Sequence, residues 1–313
     1  MEKLAFLFPG QGSQNVGMGQ DFYEQYESVK ALYHQADDVL GYKLSDLMLN
    51  GPSDELTKTE NAQPALLLNS VAILNLLKDQ GIEPNVVAGH SLGEYTALYA
   101  AGSLTFEDAI KLVHKRGQFM EKAVPTGQGT MAAVLGVERD TIDAVTKEVT
   151  NNGDPVNVAN YNSPGQIVIS GTIDGVNKAS DQLKEQGAKR VIPLNVSGPF
   201  HSELMKPASE DFKQELDQVT IHDATVPVYA NVTAKPVQKS EEIKQLLIEQ
   251  LYSPVQFTQT IENMLNDNVD GFVEIGSGKV LTGLVKKIHR RAKTFTLNEV
   301  ESLDAFYEKL KEE

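Results

Sequence analysis

Hydrophobic and polar positions follow two patterns along the chain: short apolar runs, and longer stretches with apolar residues three and four positions apart. The run Leu4–Phe8 is apolar throughout and stops at Pro9, which is typical of a buried strand. Residues 64–80 show the helical spacing, with Pro64 expected in the first turn and Gly81 after the end. Strands that alternate with helices predict a parallel sheet covered on both faces.

The segment 86–95 joins an apolar run, a sharp turn and a helical pattern around the letters GHSLG. In this context, Gly-x-Ser-x-Gly is typical of a nucleophile elbow, which strains the backbone at the serine and raises its hydroxyl above the sheet. Gly89 and Gly93 lack a Cβ, so strand and helix can approach closely. Ser91 is therefore the candidate nucleophile. The alternative is a glycine-rich turn whose serine only caps a helix.

The pattern changes between residues 126 and 197. Strand, helix, strand, strand, helix and strand follow one another there, which is the order of a ferredoxin-like unit. We therefore expect an α/β fold with two parts. A large α/β-hydrolase-like domain with a parallel sheet comprises residues 1–125 and 198–313, and a ferredoxin-like domain, 126–197, is inserted into it.

Composition narrows the class of protein. The chain has 313 residues, 41% of them hydrophobic, which is enough for a sizeable core. It has no cysteine, which excludes disulfides and thiolate metal sites. We find no apolar run long enough for a membrane span and no signal segment, so a cytoplasmic protein is expected. The net charge of −15 disfavours nucleic acid and anionic membranes as partners.

A serine hydroxyl needs a base within hydrogen-bond reach, and histidine is the usual one. Of the six histidines, His201 stands out because the segment 198–200, Gly-Pro-Phe, presents it on a tight loop at a helix start. His90 is adjacent to Ser91, but neighbouring side chains at a strand end diverge. His114 is expected to face the core. No aspartate or glutamate can be assigned as a third member.

Five motifs in a fixed order carry a resemblance to a known family. They are FPGQGSQ (8–14), GHSLGEY (89–95), NYNSPGQ (160–166), GPFHS (198–202) and QLYSPV (250–255). Together they resemble the malonyl-CoA:acyl-carrier-protein transacylases of bacterial fatty-acid synthesis, over nearly the whole chain. The resemblance implies malonyl transfer from coenzyme A to the phosphopantetheine thiol of acyl carrier protein, through a malonyl-serine, with no metal and no redox cofactor.

The resemblance also implies roles for particular residues. Ser91 would carry the acyl group and His201 would take its proton. The backbone carbonyl of Gln250 would orient the imidazole in place of a carboxylate. The backbone N–H groups of Gln11 and Leu92 would form the oxyanion hole, which agrees with their positions on a glycine-flanked loop and at a helix start.

Selection of the acyl group would depend on Arg116, because a planar guanidinium can bind the malonyl carboxylate bidentately. Without the resemblance, Arg116 would be interpreted as a surface arginine on a helix. Phe200 matches the malonyl-type pattern of the family. The other substrate-binding candidates are Asn160, Asn162 and Met120. For the two asparagines the alternative role is turn formation before Pro164.

Carrier proteins of such systems are acidic, so an enzyme of charge −15 must meet one through a local basic surface. The candidate is the basic cluster, defined as Lys286, Lys287, Arg290 and Arg291. Its alternative role is a solvated helix end whose cations favour the helix dipole. Three other functions stay open: a serine hydrolase of thioesters or esters, a polyketide-type acyltransferase, and a non-catalytic subunit that docks carrier protein.

Overall fold

The computed structural model describes residues 2–312 and contains two sheets. The strands are β1 (Leu4–Phe8), β2 (Val86–Gly89), β3 (Gly129–Leu135), β4 (Val156–Ser163), β5 (Gln166–Thr172), β6 (Arg190–Pro193), β7 (Val228–Tyr229), β8 (Pro236–Val237), β9 (Gly271–Ile275) and β10 (Lys293–Leu297). The larger sheet has the order β10-β9-β1-β2-β7-β8, and only β8 is antiparallel to its neighbour. The smaller sheet, β4-β5-β3-β6, is antiparallel throughout.

Helices cover the larger sheet and pack on the smaller one. They are α1 (Gln20–Gln25), α2 (Glu27–Leu40), α3 (Leu44–Asn50), α4 (Ser53–Thr57), α5 (Thr59–Asp79), α6 (Gly93–Ala100), α7 (Phe106–Ala123), α8 (Arg139–Asn151), α9 (Ile173–Glu185), α10 (Lys206–Leu216), α11 (Ser240–Gln250), α12 (Phe257–Asn266), α13 (Val280–Ile288) and α14 (Val300–Glu312). A 3₁₀ turn, Glu203–Met205, precedes α10. Within residues 2–312, none of these helices combines the length and apolar character that crossing a bilayer requires.

The central strands β1 and β2 are buried at every position. They are apolar rather than alternating because a parallel sheet is covered on both faces. The smaller sheet has its own core, in which Ile142 and Val149 of α8 and Leu183 of α9 pack on Val134 and Ile169. The predicted α/β fold class is confirmed. The smaller sheet and its two helices lie within the predicted segment 126–197, and the division into two domains stays a prediction.

The prediction that Pro64 lies in the first turn of its helix is wrong. Helix α5 begins at Thr59, so Pro64 lies inside it. A proline there cannot donate to the carbonyl four residues earlier, which belongs to Glu60. His114 of α7 lies with its Nδ1 2.9 Å from that carbonyl oxygen and replaces the lost partner. A tertiary contact therefore allows the helix to extend one turn before the proline.

Candidate active site

The turn at Ser91 has the geometry of a strained elbow. Strand β2 leads into it, α6 leaves it, and Ser91 has a φ of 54°, in the left-handed region. A Cβ on Gly89 would lie 1.9 Å from the carbonyl carbon of Gly93, and one on Gly93 would lie 2.2 Å from the carbonyl oxygen of Phe8. The expected close approach of strand and helix is confirmed, because neither glycine position has room for a side chain.

Ser91 and His201 are in contact although 110 residues separate them. Ser91 Oγ lies 2.8 Å from His201 Nε2. The other ring nitrogen, Nδ1, lies 2.9 Å from the carbonyl oxygen of Gln250 and 3.2 Å from that of Ser253. Carbonyl oxygens only accept, so Nδ1 carries the hydrogen and Nε2 is free to accept the serine proton. The arrangement is that of a serine with its base.

The imidazole of His201 is held in its neutral form. The residue is only 3% exposed. Burial, and after it the positive charge of Arg116, lowers the pKa of His201 to about 3, against the opposing effect of the Gln250 carbonyl. A histidine that is neutral at neutral pH can accept a proton without first losing one.

Arg116 lies beside the serine and is fully buried, so the alternative of a surface arginine is wrong. Its Nη1 donates to Gln63 Oε1 at 2.8 Å, and its Nη2 donates to Ser91 Oγ and to Gln250 Oε1, each at 3.0 Å. Its Nε has no acceptor, and no carboxylate within residues 2–312 forms an ion pair with it. Burial lowers the pKa of Arg116 despite the opposing effects of Tyr95 and the Glu94 carboxyl, so an anionic ligand would stabilise this buried cation further.

The two predicted oxyanion donors have free backbone N–H groups. In the part of the chain that the structure describes, neither Gln11 nor Leu92 donates its backbone N–H to a protein acceptor. Leu92 directly precedes α6, and Gln11 lies on the loop after β1. A Cβ on Gly10 would lie 2.5 Å from the carbonyl oxygen of His90, so this loop packs directly against the elbow. Their joint role as an oxyanion hole stays a prediction.

The remaining candidates are buried around these groups. Met120 Sδ lies 3.5 Å from Nε2 of Gln63, the residue that also binds Arg116, and Phe200 is 5% exposed. Asn160 and Asn162 lie in strand β4, so the alternative role in a turn is wrong. Asn162 Oδ1 lies 2.7 Å from a ring nitrogen of His90, which is thereby directed away from the serine as expected. Substrate contact by these four residues stays a prediction.

Strand β4 is also joined to the segment that supplies the acceptors of His201. Val255 forms a parallel bridge with Asn160. Its N–H donates to the carbonyl of Ala159 at 2.8 Å, and its carbonyl accepts from the N–H of Tyr161 at 2.9 Å. The smaller sheet therefore extends, through backbone hydrogen bonds, to the segment 250–255.

Three site residues escaped the sequence analysis: Gln63, Glu94 and Asn231. Asn231 Oδ1 accepts from the N–H of Ser91 at 2.8 Å, and its Nδ2 donates to the carbonyl of Gly89 at 2.6 Å. Glu94 is 3% exposed, and burial raises its pKa to about 7. A signal existed for Gln63 and Glu94, because each is a polar residue inside an otherwise buried helix. Asn231 carries no local signal.

The structure describes no group of three or more His, Asp or Glu side chains placed to hold a metal ion within residues 2–312. The chemistry of the site is that of a serine, a neutral imidazole and a buried cation. Such a set can form an ester between the serine and an acyl group that carries a negative charge.

Comparison with known proteins agrees with acyl chemistry at Ser91. The family model of the acyl transferase domain matches residues 5–301, so the fold and the site define an acyltransferase. The malonyl CoA-acyl carrier protein transacylase of Bacillus subtilis (strain 168) is 55% identical over 313 residues, 100% of this chain and 99% of that protein. An acyl carrier protein S-malonyltransferase from Vibrio cholerae is 46% identical with a TM-score of 0.95, and the match covers 97% of this chain and 100% of that one.

A further solved structure contains two proteins. It is a type II PKS acyl-carrier protein in complex with its malonyl-transacylase, and it matches at 43% identity with a TM-score of 0.96, over 98% of this chain and 100% of that one. The chain belongs to the acyl transferase domain family and, within it, to the malonyl CoA-acyl carrier protein transacylases.

Proposed function

We propose that the protein transfers the malonyl group from malonyl-CoA to the phosphopantetheine thiol of acyl carrier protein, and so supplies fatty-acid synthesis. The observation that carries the proposal is Arg116, a fully buried guanidinium without an ion pair in residues 2–312 and 3.0 Å from Ser91 Oγ. An acyl group that ends in a carboxylate provides an anion that can pair directly with this guanidinium through two parallel hydrogen bonds.

In the first half-reaction, Ser91 Oγ attacks the thioester carbonyl while His201 Nε2 takes its proton. The negative charge that develops on the carbonyl oxygen is stabilised by the backbone N–H groups of Gln11 and Leu92. The carbon–sulfur bond then breaks, and coenzyme A leaves with the proton from His201. The product is a malonyl ester on Ser91.

In the second half-reaction, the pantetheine thiol of the carrier protein gives its proton to His201 and attacks the ester. The carbon–oxygen bond to Ser91 breaks, and the proton returns to Ser91 Oγ. Each step exchanges one acyl acceptor for another, so the reaction requires no metal and no redox cofactor. A cytoplasmic location is part of the proposal, since a cysteine-free chain suits a reducing compartment.

The basic cluster is proposed as part of the carrier-protein surface. Its four side chains are exposed. Lys287 Nζ lies 3.0 Å from Gln166 Oε1, so the cluster adjoins the smaller sheet. Arg290 and Arg291 form no ion pair with residues 2–312 and are free to meet an acidic partner.

The test is mass spectrometry of the intact protein after mixing with malonyl-CoA. The parent should gain one malonyl group, and Ser91→Ala should gain none. Arg116→Ala should form less malonyl adduct while still accepting acetyl from acetyl-CoA. A parent that forms no adduct would contradict the proposal, as would hydrolysis of malonyl-CoA, without any acceptor thiol, at the rate of transfer.

A further inference from the structure

A buried polar network lies beneath the Ser91 turn, and its side chains take no direct part in the two half-reactions described above. Its centre is Glu94, in the first turn of α6. One carboxylate oxygen, Oε2, accepts from the N–H of Asn231 at 3.0 Å and from Nε2 of Gln250 at 2.8 Å. Glu94 and Asn231 are 3% and 2% exposed, and Gln250 is fully buried. Solvent therefore cannot replace these contacts.

The network determines which way the Gln250 amide points. Its Nε2 faces three acceptors: Glu94 Oε2, Asn231 Oδ1 at 3.1 Å, and the carbonyl of Ser91 at 3.0 Å. The amide oxygen must then point to the opposite side, where it accepts from Arg116 Nη2 at 3.0 Å. A flipped amide would present two hydrogens to the guanidinium, which only donates, and an oxygen to three acceptors.

We propose that Glu94 is a positioning residue for acyl selection: it fixes the Gln250 amide, and through that amide it fixes the Arg116 guanidinium. Asn231 acts with it by holding both sides of the Ser91 turn. The proposal deepens the proposed malonyl transfer and rests on it. Glu94 forms no hydrogen bond with Arg116, although its charge acts on the guanidinium electrostatically.

The effect should depend on the acyl group. A malonyl group needs the guanidinium in a fixed place, because its carboxylate is bound there. An acetyl group has no carboxylate and needs only the serine, its base and the oxyanion donors. Loss of the Glu94 acceptor should therefore reduce malonyl transfer more than acetyl transfer, whereas a general loss of structure would reduce both alike.

Two substitutions separate the acceptor from the charge. Both hydrogen bonds end on one oxygen, so Glu94→Gln can keep both through its amide oxygen, whereas Glu94→Leu loses both. The measurement is kcat and KM for malonyl-CoA and acetyl-CoA with pantetheine as acceptor. Glu94→Leu should lower the malonyl-to-acetyl ratio of kcat/KM at least about tenfold, and Glu94→Gln should keep it within about threefold.

A double-mutant cycle tests the route through Gln250. If Glu94 acts through that amide, Glu94→Leu combined with Gln250→Leu should lose no more selectivity than Gln250→Leu alone. Losses that add would overturn the proposal. If Glu94→Leu does not fold, Asn231→Ala removes another acceptor of the same amide and is expected to lower the ratio in the same way.

Glu274 provides the matched control. It is 1% exposed, and its carboxylate accepts from the backbone N–H groups of Leu281 and Thr282 at 3.0 and 2.7 Å. Glu274→Leu should weaken the fold and leave the malonyl-to-acetyl ratio unchanged. An equal fall in the ratio there, or an unchanged ratio in Glu94→Leu, would overturn this inference alone. A parent protein without malonyl preference would overturn the proposed function as well.

Discussion

Ser91 Oγ receives a hydrogen bond from Arg116 and lies at hydrogen-bond distance from His201. Since Arg116 can only donate, the serine hydrogen is left to point at the imidazole. The same guanidinium helps to keep that imidazole neutral, because a second positive charge beside it would be repelled. Arg116 therefore orients the Ser91 hydroxyl and lowers the pKa of His201, and it is also the residue proposed to bind the malonyl carboxylate.

This arrangement predicts the pH dependence of serine acylation. The pKa of His201 lies at about 3 rather than 6.5, so kcat/KM in the parent should not fall as the pH drops through 6.5. Glu94 gains a proton near pH 7 but can keep Oε2 as an acceptor, so it should add no loss. In Arg116→Ala the second cause of the shift is gone, and the pKa of His201 rises.

The measurement is kcat/KM against pH with acetyl-CoA, which both proteins can use. The acid limb of Arg116→Ala should lie at higher pH than that of the parent. Coincident limbs would show that the charge of Arg116 does not reach the imidazole.

At the scale of elements, the elbow depends on how closely α6 approaches the larger sheet. Gly93→Ala would place a Cβ 2.2 Å from the carbonyl oxygen of Phe8, and backbone atoms cannot move aside cheaply. We expect a loss of about 3 kcal/mol in the free energy of unfolding, the upper end for overpacking. Acylation should fall about a hundredfold, because Ser91 is displaced.

The control for this substitution is Gly283, in helix α13, where an added Cβ would meet no atom within 4 Å. Gly283→Ala should raise the free energy of unfolding by about 0.5–1 kcal/mol, since glycine disfavours a helix interior. Denaturant unfolding measures both variants. Equal effects would refute the close-approach explanation.

The strands and helices could be predicted from the sequence where the pattern that specifies them is local. The order of strands and helices in the smaller sheet followed from alternating patterns, and the elbow followed from its two glycines. The start of α5 did not, because the partner that tolerates Pro64 is His114, 50 positions further along. Strand β10 and helix α14 were also missed, although Val300, Leu303 and Phe306 of α14 follow the helical spacing and are buried.

The site residues also divide into those that carry a local sequence signal and those that do not. Ser91 and His201 could be singled out, since the sequence around each is distinctive. Asn231 could not, because only the packing of β7 beside β2 brings it under the serine. The acceptor of His201 is a backbone carbonyl, and every residue has one, so Gln250 was assigned through the family resemblance alone.

At the scale of the whole molecule, net charge bears on the proposed encounter with the carrier protein. The net charge of −15 repels an acidic protein, so association should depend on the basic cluster. Arg290→Glu with Arg291→Glu should slow transfer to acyl carrier protein about tenfold at low salt. Transfer to pantetheine should be unchanged, since the site itself is not altered.

Lys309→Glu with Lys311→Glu, on helix α14, changes the net charge by the same amount at another exposed place and is the control. The role of the basic cluster is tested by measuring transfer rates to carrier protein and to pantetheine at two salt concentrations. Equal slowing with carrier protein and pantetheine, or equal slowing in the control, would remove the basic cluster from the docking surface.

Val255 links the position of the smaller sheet to the orientation of the His201 imidazole. The carbonyls that orient the imidazole of His201 belong to Gln250 and Ser253. They lie in the segment that Val255 joins to strand β4 through backbone hydrogen bonds. If the smaller sheet tilted to admit a bulkier acyl chain, the segment 250–255 would move with it. The imidazole of His201 would then lose its alignment with Ser91. An enzyme for a bulkier acyl chain would therefore need another anchor for the imidazole of His201.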